Sequence, residues 1–216
     1  MIITWLGHAC FRLVSKDGHT VVTDPFSEKV GYPLPEGCAD IVTVSHEHHD
    51  HNDIGKLEGV CHVVRGTGRF EWGNISVTGV PTWHDDAKGV KRGENMVFLI
   101  VIDGVRIAHM GDLGHELTRD QISAIGKVDV LLLPVGGFYT IDAAAAARVM
   151  VSLAPALTIP MHYLTPCINF PIATEEPFIT LCGGIYMNDD RIEIVPDAYD
   201  KLPSIAVLSL QTKGDQ

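Results

Sequence analysis

Seven consecutive residues, Ser45-His46-Glu47-His48-His49-Asp50-His51, hold four histidines and two carboxylates directly behind the apolar run Ile41-Val42-Thr43-Val44. That run reads as a buried strand, so the chain must bring a block of polar, costly-to-bury side chains to the end of a sheet. Few structural roles use such a block, whereas imidazole and carboxylate together suit zinc, manganese or iron. His46 and His48, two positions apart, point the same way in extended chain and can grip one ion. Asp50 and His51 can turn to face a second. The order His-x-His-x-Asp-His is therefore what a two-metal hydrolase needs. A solvated histidine-rich loop is the bland alternative, and its place at a strand end argues against it.

The surrounding punctuation predicts short strands and few helices. Met1 to Thr23 reads as strands separated at Gly7-His8 and at the Lys16-Asp17-Gly18 turn, closed by Asp24-Pro25. Further strand-like runs lie at Ile41–Val44, His62–Arg65, Ile75–Val80, Met96–Ile102, Val105–Ala108, Leu157–Pro160 and Arg191–Val195. Leu131-Leu132-Leu133-Pro134 adds a buried strand ahead of a glycine turn, and Asp103-Gly104 is a hairpin signal. Helices are predicted over Asn52–Leu57, Thr118–Ile125, Thr140–Leu153 and Thr174–Cys182, with Thr140 as an N-cap and Asp142 in the first turn. The pattern predicts an α/β fold, two packed sheets flanked by helices, occupying residues 1–216 as one domain.

Rigid scaffolds present polar groups where strands end. His84 follows the run from Val77 to Trp83, Asp112 follows Val105–Ala108 within Met110-Gly111-Asp112, and His162 follows Leu157–Met161. These three join the heptapeptide as candidate metal ligands. A strand-end turn or cap residue is the plain alternative for each taken singly.

Composition narrows the partners. A formal charge of −11 lacks the basic footprint of a nucleic-acid binder, and two bound divalent cations would cancel part of it. Neither a secretory leader nor an apolar run of membrane-spanning length is visible. The five cysteines are scattered, which reads as reduced thiols and a cytoplasmic location. Self-association is left open.

With these motifs in view, the chain resembles the metallo-β-lactamase superfamily along nearly its full length. The carriers are Asp24, His46-Glu47-His48-His49-Asp50-His51, His84, Asp112 and His162. Gly7-His8-Ala9, Gly111-Asp112 and Pro160-Met161-His162-Tyr163 are most similar to its small cytosolic hydrolases, and the branch of L-ascorbate-6-phosphate lactonase and the N-acylphosphatidylethanolamine phospholipases D is also similar. The resemblance implies a four-layer αβ/βα sandwich. It implies His46, His48 and His84 on a first metal, Asp50, His51 and His162 on a second, and Asp112 bridging both. Asp24 would stand behind the ligands and support the histidine loop. The antibiotic-hydrolysing members lack the bridging aspartate and are usually exported, so a β-lactamase is not expected.

The chemistry expected of such a centre is hydrolysis. Two divalent ions about 3.5–4 Å apart share a water, lower its pKa and hold hydroxide ready, while one polarises the substrate oxygen. Asp50 could also orient that hydroxide. His8, His109, His115 and Tyr163 are candidates for proton donation or support, with His115, three positions after Asp112, the preferred catalytic partner. His49 falls outside the spacing rule, and His19 and His62 read as structural. The substrate would be a small ester, lactone or phosphodiester, and the ions zinc, with manganese or iron open. An anionic substrate would suit Lys88, Lys91 and Arg92, a local charge reversal after His84, with Arg92 the best candidate. The other function class is a metal-binding sensor or redox module of the same fold, although the chain has no length left for a flavin domain.

Overall fold

Alternating apolar residues between Ile2 and Thr23 fold as an antiparallel meander of Ile2–Gly7, Cys10–Val14 and Thr20–Thr23. Ile41–Thr43 and His62–Val64 extend it in parallel, and Arg191–Glu193 closes the other edge, giving a six-stranded first sheet. A second six-stranded sheet runs in the order Leu157–Met161, Val130–Pro134, Val105–His109, Glu94–Ile102, Ile75–Trp83, Gly68–Trp72. The computed structural model describes residues 1–196 and 198–210. The Asp103-Gly104 hairpin forms as expected, with Ile102 opposite Val105 and positive φ at both turn residues (53° and 79°).

The two sheets share one core. Ile3, Trp5, Phe11, Leu13 and Val21 of the first join Val77, Phe98, Ile100 and Ile107 of the second. Phe11 and Phe98 have no solvent exposure, and truncating either to alanine would cost about 3–5 kcal/mol. Strand alternation sends Cys10, Val22 and Val42 to the opposite face of the first sheet, where they pack with Phe26, Val30 and Tyr32. That outer layer is made of loops, one 3-10 turn, Glu28–Val30, and a short two-stranded ladder of Gly37–Cys38 with Leu57–Glu58. Helices cover the second sheet instead: α1 (Arg119–Ile125) packs on Ile75–Trp83, α2 (Ala143–Leu153) on Val130–Pro134, and α3 (Glu176–Cys182) on α2. No helix among the described residues is long and apolar enough to cross a membrane.

Two expectations need correction, and one strand lies outside those the sequence predicts. No helix forms over Asn52–Leu57: Asn52 Nδ2 donates to the Glu47 carbonyl and carboxylate at 3.1 Å, and Asp53 Oδ1 accepts from the Gly55 amide at 3.1 Å. Such side chains offer the backbone an alternative to helix, and the helically spaced Ile54 and Leu57 lie over the first sheet's outer face instead. Thr140 does not cap α2; Asp142 does, its Oδ1 accepting from the Ala145 amide at 2.8 Å. The strand Gly68–Trp72 was not anticipated, because its alternation is confined to Phe70 and Trp72 and its residues are largely exposed.

One feature of the topology prepares the site. Ile2–Gly7, Thr20–Thr23 and Ile41–Thr43 run in one direction in the first sheet, as do Ile75–Trp83, Val105–His109 and Leu157–Met161 in the second. Their carboxyl ends open onto His8, Asp24, the His46 loop, His84, Asp112 and His162. Carboxyl ends of parallel-running strands are where such sheets present ligands.

Candidate metal centre

The Asp112 carboxylate stands at the centre of the converging side chains. Its Oδ2 lies 3.1 Å from His84 Nε2, 3.3 Å from His162 Nε2 and 3.9 Å from His46 Nε2. Its Oδ1 lies 3.2 Å from His51 Nε2. On one side, His46 Nε2 and His48 Nδ1 are 3.0 Å apart, and with His84 they form a compact three-histidine group. On the other, Asp50, His51 and His162 gather with His8, whose Nε2 is 3.3 Å from Asp50 Oδ2. Every expected ligand is therefore in the cluster, and one further histidine joins it.

These spacings fit a metal. An ion held tetrahedrally at about 2.0–2.1 Å keeps its ligand atoms about 3.3 Å apart, close to the shortest contacts here. His51 Nε2 and Asp112 Oδ1 are both buried and complete no hydrogen bond among the described residues, although they face each other. Two buried polar atoms this close are satisfied by a proton on Nε2 in the metal-free protein and by a shared cation in the loaded one.

The electrostatics of His8, His46, His48 and Asp112 agree, whereas an ion would have to displace a proton from His51. Burial, reinforced by His162, lowers the pKa of His8 to about 4, and burial with His51 lowers that of His46 to about 3. Burial and His84 lower His48 as well. These imidazoles are neutral at pH 7, the form that binds metal. Burial opposes the charge on Asp112, but His162 and His51 outweigh it and hold its carboxyl well below the usual range. The same contest at His51 is won by Asp112 and Asp24, which push it well above its ordinary value.

Asp24 supports the loop from behind, as expected. Its Oδ2 lies 2.8 Å from His51 Nδ1, its Oδ1 accepts from the Ser45 amide at 2.8 Å, and Ser45 Oγ reaches both Asp24 and His46 Nδ1 (2.5 and 3.0 Å). Such contacts fix ring orientation. Two more supports escaped the sequence. Buried Asn95 accepts from the Asp112 amide at 2.8 Å and donates to the Met110 carbonyl at 3.0 Å. Gly111 (φ 53°) lets Ser45 approach: a side chain there would put its Cβ 2.4 Å from Asn95 Oδ1 and 2.6 Å from Ser45 Cβ. His8, Asp24 and His162 also hold positive φ (52°, 40° and 51°). Such non-glycine conformations cost about 1–2 kcal/mol each and persist where surroundings enforce them.

A family model described as a β-lactamase superfamily domain matches residues 2–162. That span contains every residue of the cluster. The chain belongs to the metallo-β-lactamase superfamily. Within it, the chain is 32% identical over 210 residues to a UPF0173 metal-dependent hydrolase of Archaeoglobus fulgidus, covering 82% of this chain and 87% of that one. It is 34% identical over 233 residues to another of Methanoculleus marisnigri, covering 91% and 98%. It is similar to a crystal structure described as a candidate zinc-dependent hydrolase of the superfamily from Thermotoga maritima, with a TM-score of 0.79 and 36% identity over 97% of this chain and 99% of that one. The protein is thus a metal-dependent hydrolase of this superfamily, in its small-hydrolase branch.

Superfamily membership does not bring every candidate into the centre. His115 stays outside it: Nε2 accepts from the Trp83 amide at 3.1 Å and Nδ1 meets the Glu116 carbonyl at 2.7 Å, so both ring nitrogens serve backbone. His109 is buried and donates from Nε2 to the Ala9 carbonyl at 2.7 Å. Tyr163 packs against Trp5, and burial raises its pKa. His49 points outward, with its side chain 60% exposed. Of the basic residues after His84, exposed Lys91 pairs with Asp86 and half-buried Arg92 lies over Tyr139.

Proposed function

We propose that the protein, acting as one domain, hydrolyses a small ester, lactone or phosphodiester at a binuclear centre, with zinc the default ion. The single observation that carries this reading is the position of Asp112, whose two oxygens reach histidines of both groups at 3.1 to 3.3 Å. His46, His48 and His84 would hold one ion, Asp50, His51 and His162 the other, and Asp112 both. Bound there, two divalent ions supply water activation and polarisation of the scissile oxygen.

The chain's own residues prepare that chemistry. Asp24 and Ser45 fix the rings of His51 and His46 from behind. Asn95 fixes the backbone of Asp112. His48 and Asp50 are the members of the cluster with solvent exposure, so substrate would enter on their side. His8, against Asp50, faces the site and replaces His115 as the histidine placed to assist there.

Elemental analysis of fully loaded protein, paired with turnover of an ester, lactone and phosphodiester panel, tests the reading. About two ions per chain and hydrolysis of at least one class are expected. Saturation at a single ion, or no turnover across the panel, would overturn it.

A further inference from the structure

The rim of the centre carries a basic side chain that the hydrolytic machinery does not use. The loop from Asp85 to Gly93 leaves at His84 and returns beside it, the His84 amide donating to the Gly93 carbonyl at 3.1 Å. Buried Asp85 holds the loop in shape, its carboxylate accepting from the amides of Ala87, Gly89, Lys91 and Arg92 at 2.8–2.9 Å. Lys91 is paired with Asp86 at 2.7 Å. The Arg92 guanidinium instead lies 5.5 Å from the centroid of the Tyr139 ring and makes no ion pair among the described residues.

Tyr139 belongs to the turn after Val130–Pro134, which is fastened next to Asp112 by the Ile141 amide donating to the Leu113 carbonyl at 2.9 Å. Phe170 spans from Tyr139 (ring centroids 6.4 Å apart) to His8 (5.7 Å). Phe138 is 62% exposed at a φ of 60°. A bulky residue in that conformation is an outlier of the kind that gathers at functional sites. Stacking on Tyr139 occupies one face of the guanidinium and leaves its N–H edge available to an anion.

Resting on the hydrolase reading above, we propose that Arg92, seated on Tyr139, binds a second anionic group of the substrate, remote from the scissile bond. Phe138 and Phe170 take the apolar stem between the two ends. The substrate class narrows to small esters, lactones or phosphodiesters bearing an additional carboxylate or phosphate.

The test is calorimetric binding of non-reactive ligands to metal-loaded, full-length protein. A series of α,ω-dicarboxylates and ω-phosphonocarboxylates of increasing length is compared with monocarboxylates of the same length. At least one double anion should bind about tenfold more tightly than its monocarboxylate, the gain expected of a charged hydrogen-bonded contact. The better of the two series names the group, and added salt should erode the preference. Arg92→Met should abolish it while metal content and monocarboxylate affinity stay unchanged, and Arg92→Lys should retain part. No preference in the wild type, or an undiminished one in Arg92→Met, overturns the proposal. Failure of the substrate panel would sink the hydrolase reading and still leave this comparison to judge Arg92.

Discussion

His51 Nδ1 lies 2.8 Å from Asp24 Oδ2, and neither side chain has any exposure to solvent. The contact holds a proton on Nδ1 and turns Nε2 towards Asp112. Asp24→Asn should keep the acceptor for the Ser45 amide but remove the carboxylate that orients the ring. Metal affinity should fall about 10–100-fold, measured by competition with a chromophoric chelator. Wild-type affinity in this variant would show that the buried pair serves the fold alone.

Asp112→Ala removes the group common to both histidine sets. Metal content should drop for both ions and hydrolysis should cease, while the far-ultraviolet spectrum persists because the apolar core is untouched. His84→Ala should cost chiefly one ion. Retention of two ions by Asp112→Ala would reduce Asp112 to a turn residue.

His8 and His115 should separate cleanly. His8→Ala removes a buried ring 3.3 Å from Asp50 and should loosen the ion on that side, seen as a lower second affinity in a cobalt titration. His115→Ala, outside the cluster, should leave metal affinities within about twofold, well under the 1.4 kcal/mol that a tenfold change represents. The reverse ranking would contradict the placement of both residues.

Chelated protein should lose stability as pH falls from about 6.5 to about 4. Burial, aided by neighbouring histidines, lowers His8 to about 4 and His46 to about 3, whereas the unfolded chain takes up those protons near pH 6.5. The unfolded state then binds more protons in this window, so stability must decline as pH falls, by up to about 2.7 kcal/mol per unit for the two histidines together. His51 shifts upward, so its contribution is complete below pH 6.5 and adds no slope there. The lowered carboxyls of Asp24 and Asp112 act only below about pH 4. Denaturant midpoints at a series of pH values check this, and a flat profile would count against neutral buried histidines.

Asp85→Ala should release the loop that follows His84. Four amides lose their acceptor, so trypsin should cut faster at Lys88, Lys91 and Arg92, and the ion held by His84 should bind more weakly. Unchanged cleavage would mean that the turn holds itself.

The ligands were legible because they follow strong apolar runs, His84 and His162 by one residue, Asp112 by four and the histidine loop from two residues on, and a strand end aims its next residues at a common edge. Asp85 and Asn95 were not, because their partners are backbone groups whose positions only the folded chain defines. His115 illustrates the opposite error: nearness to Asp112 in sequence did not survive the turn at Gly114, which lies against the backbone of His84 and Asp85. The helix expected over Asn52–Leu57 failed for a similar reason, since Asn52 and Asp53 could bond locally and the apolar pair had a sheet to cover. The loop-built outer layer carried no periodic signal at all.

The first sheet contributes His46, His48, Asp50 and His51, and the second contributes His84, Asp112 and His162. An ion coordinated from both is a tie across the seam of the sandwich, closing the chain from His46 to His162 into a ring much as a disulfide would. Loading should therefore slow the parting of the sheets, and proteolysis or hydrogen exchange of the two halves should rise together when metal is withdrawn.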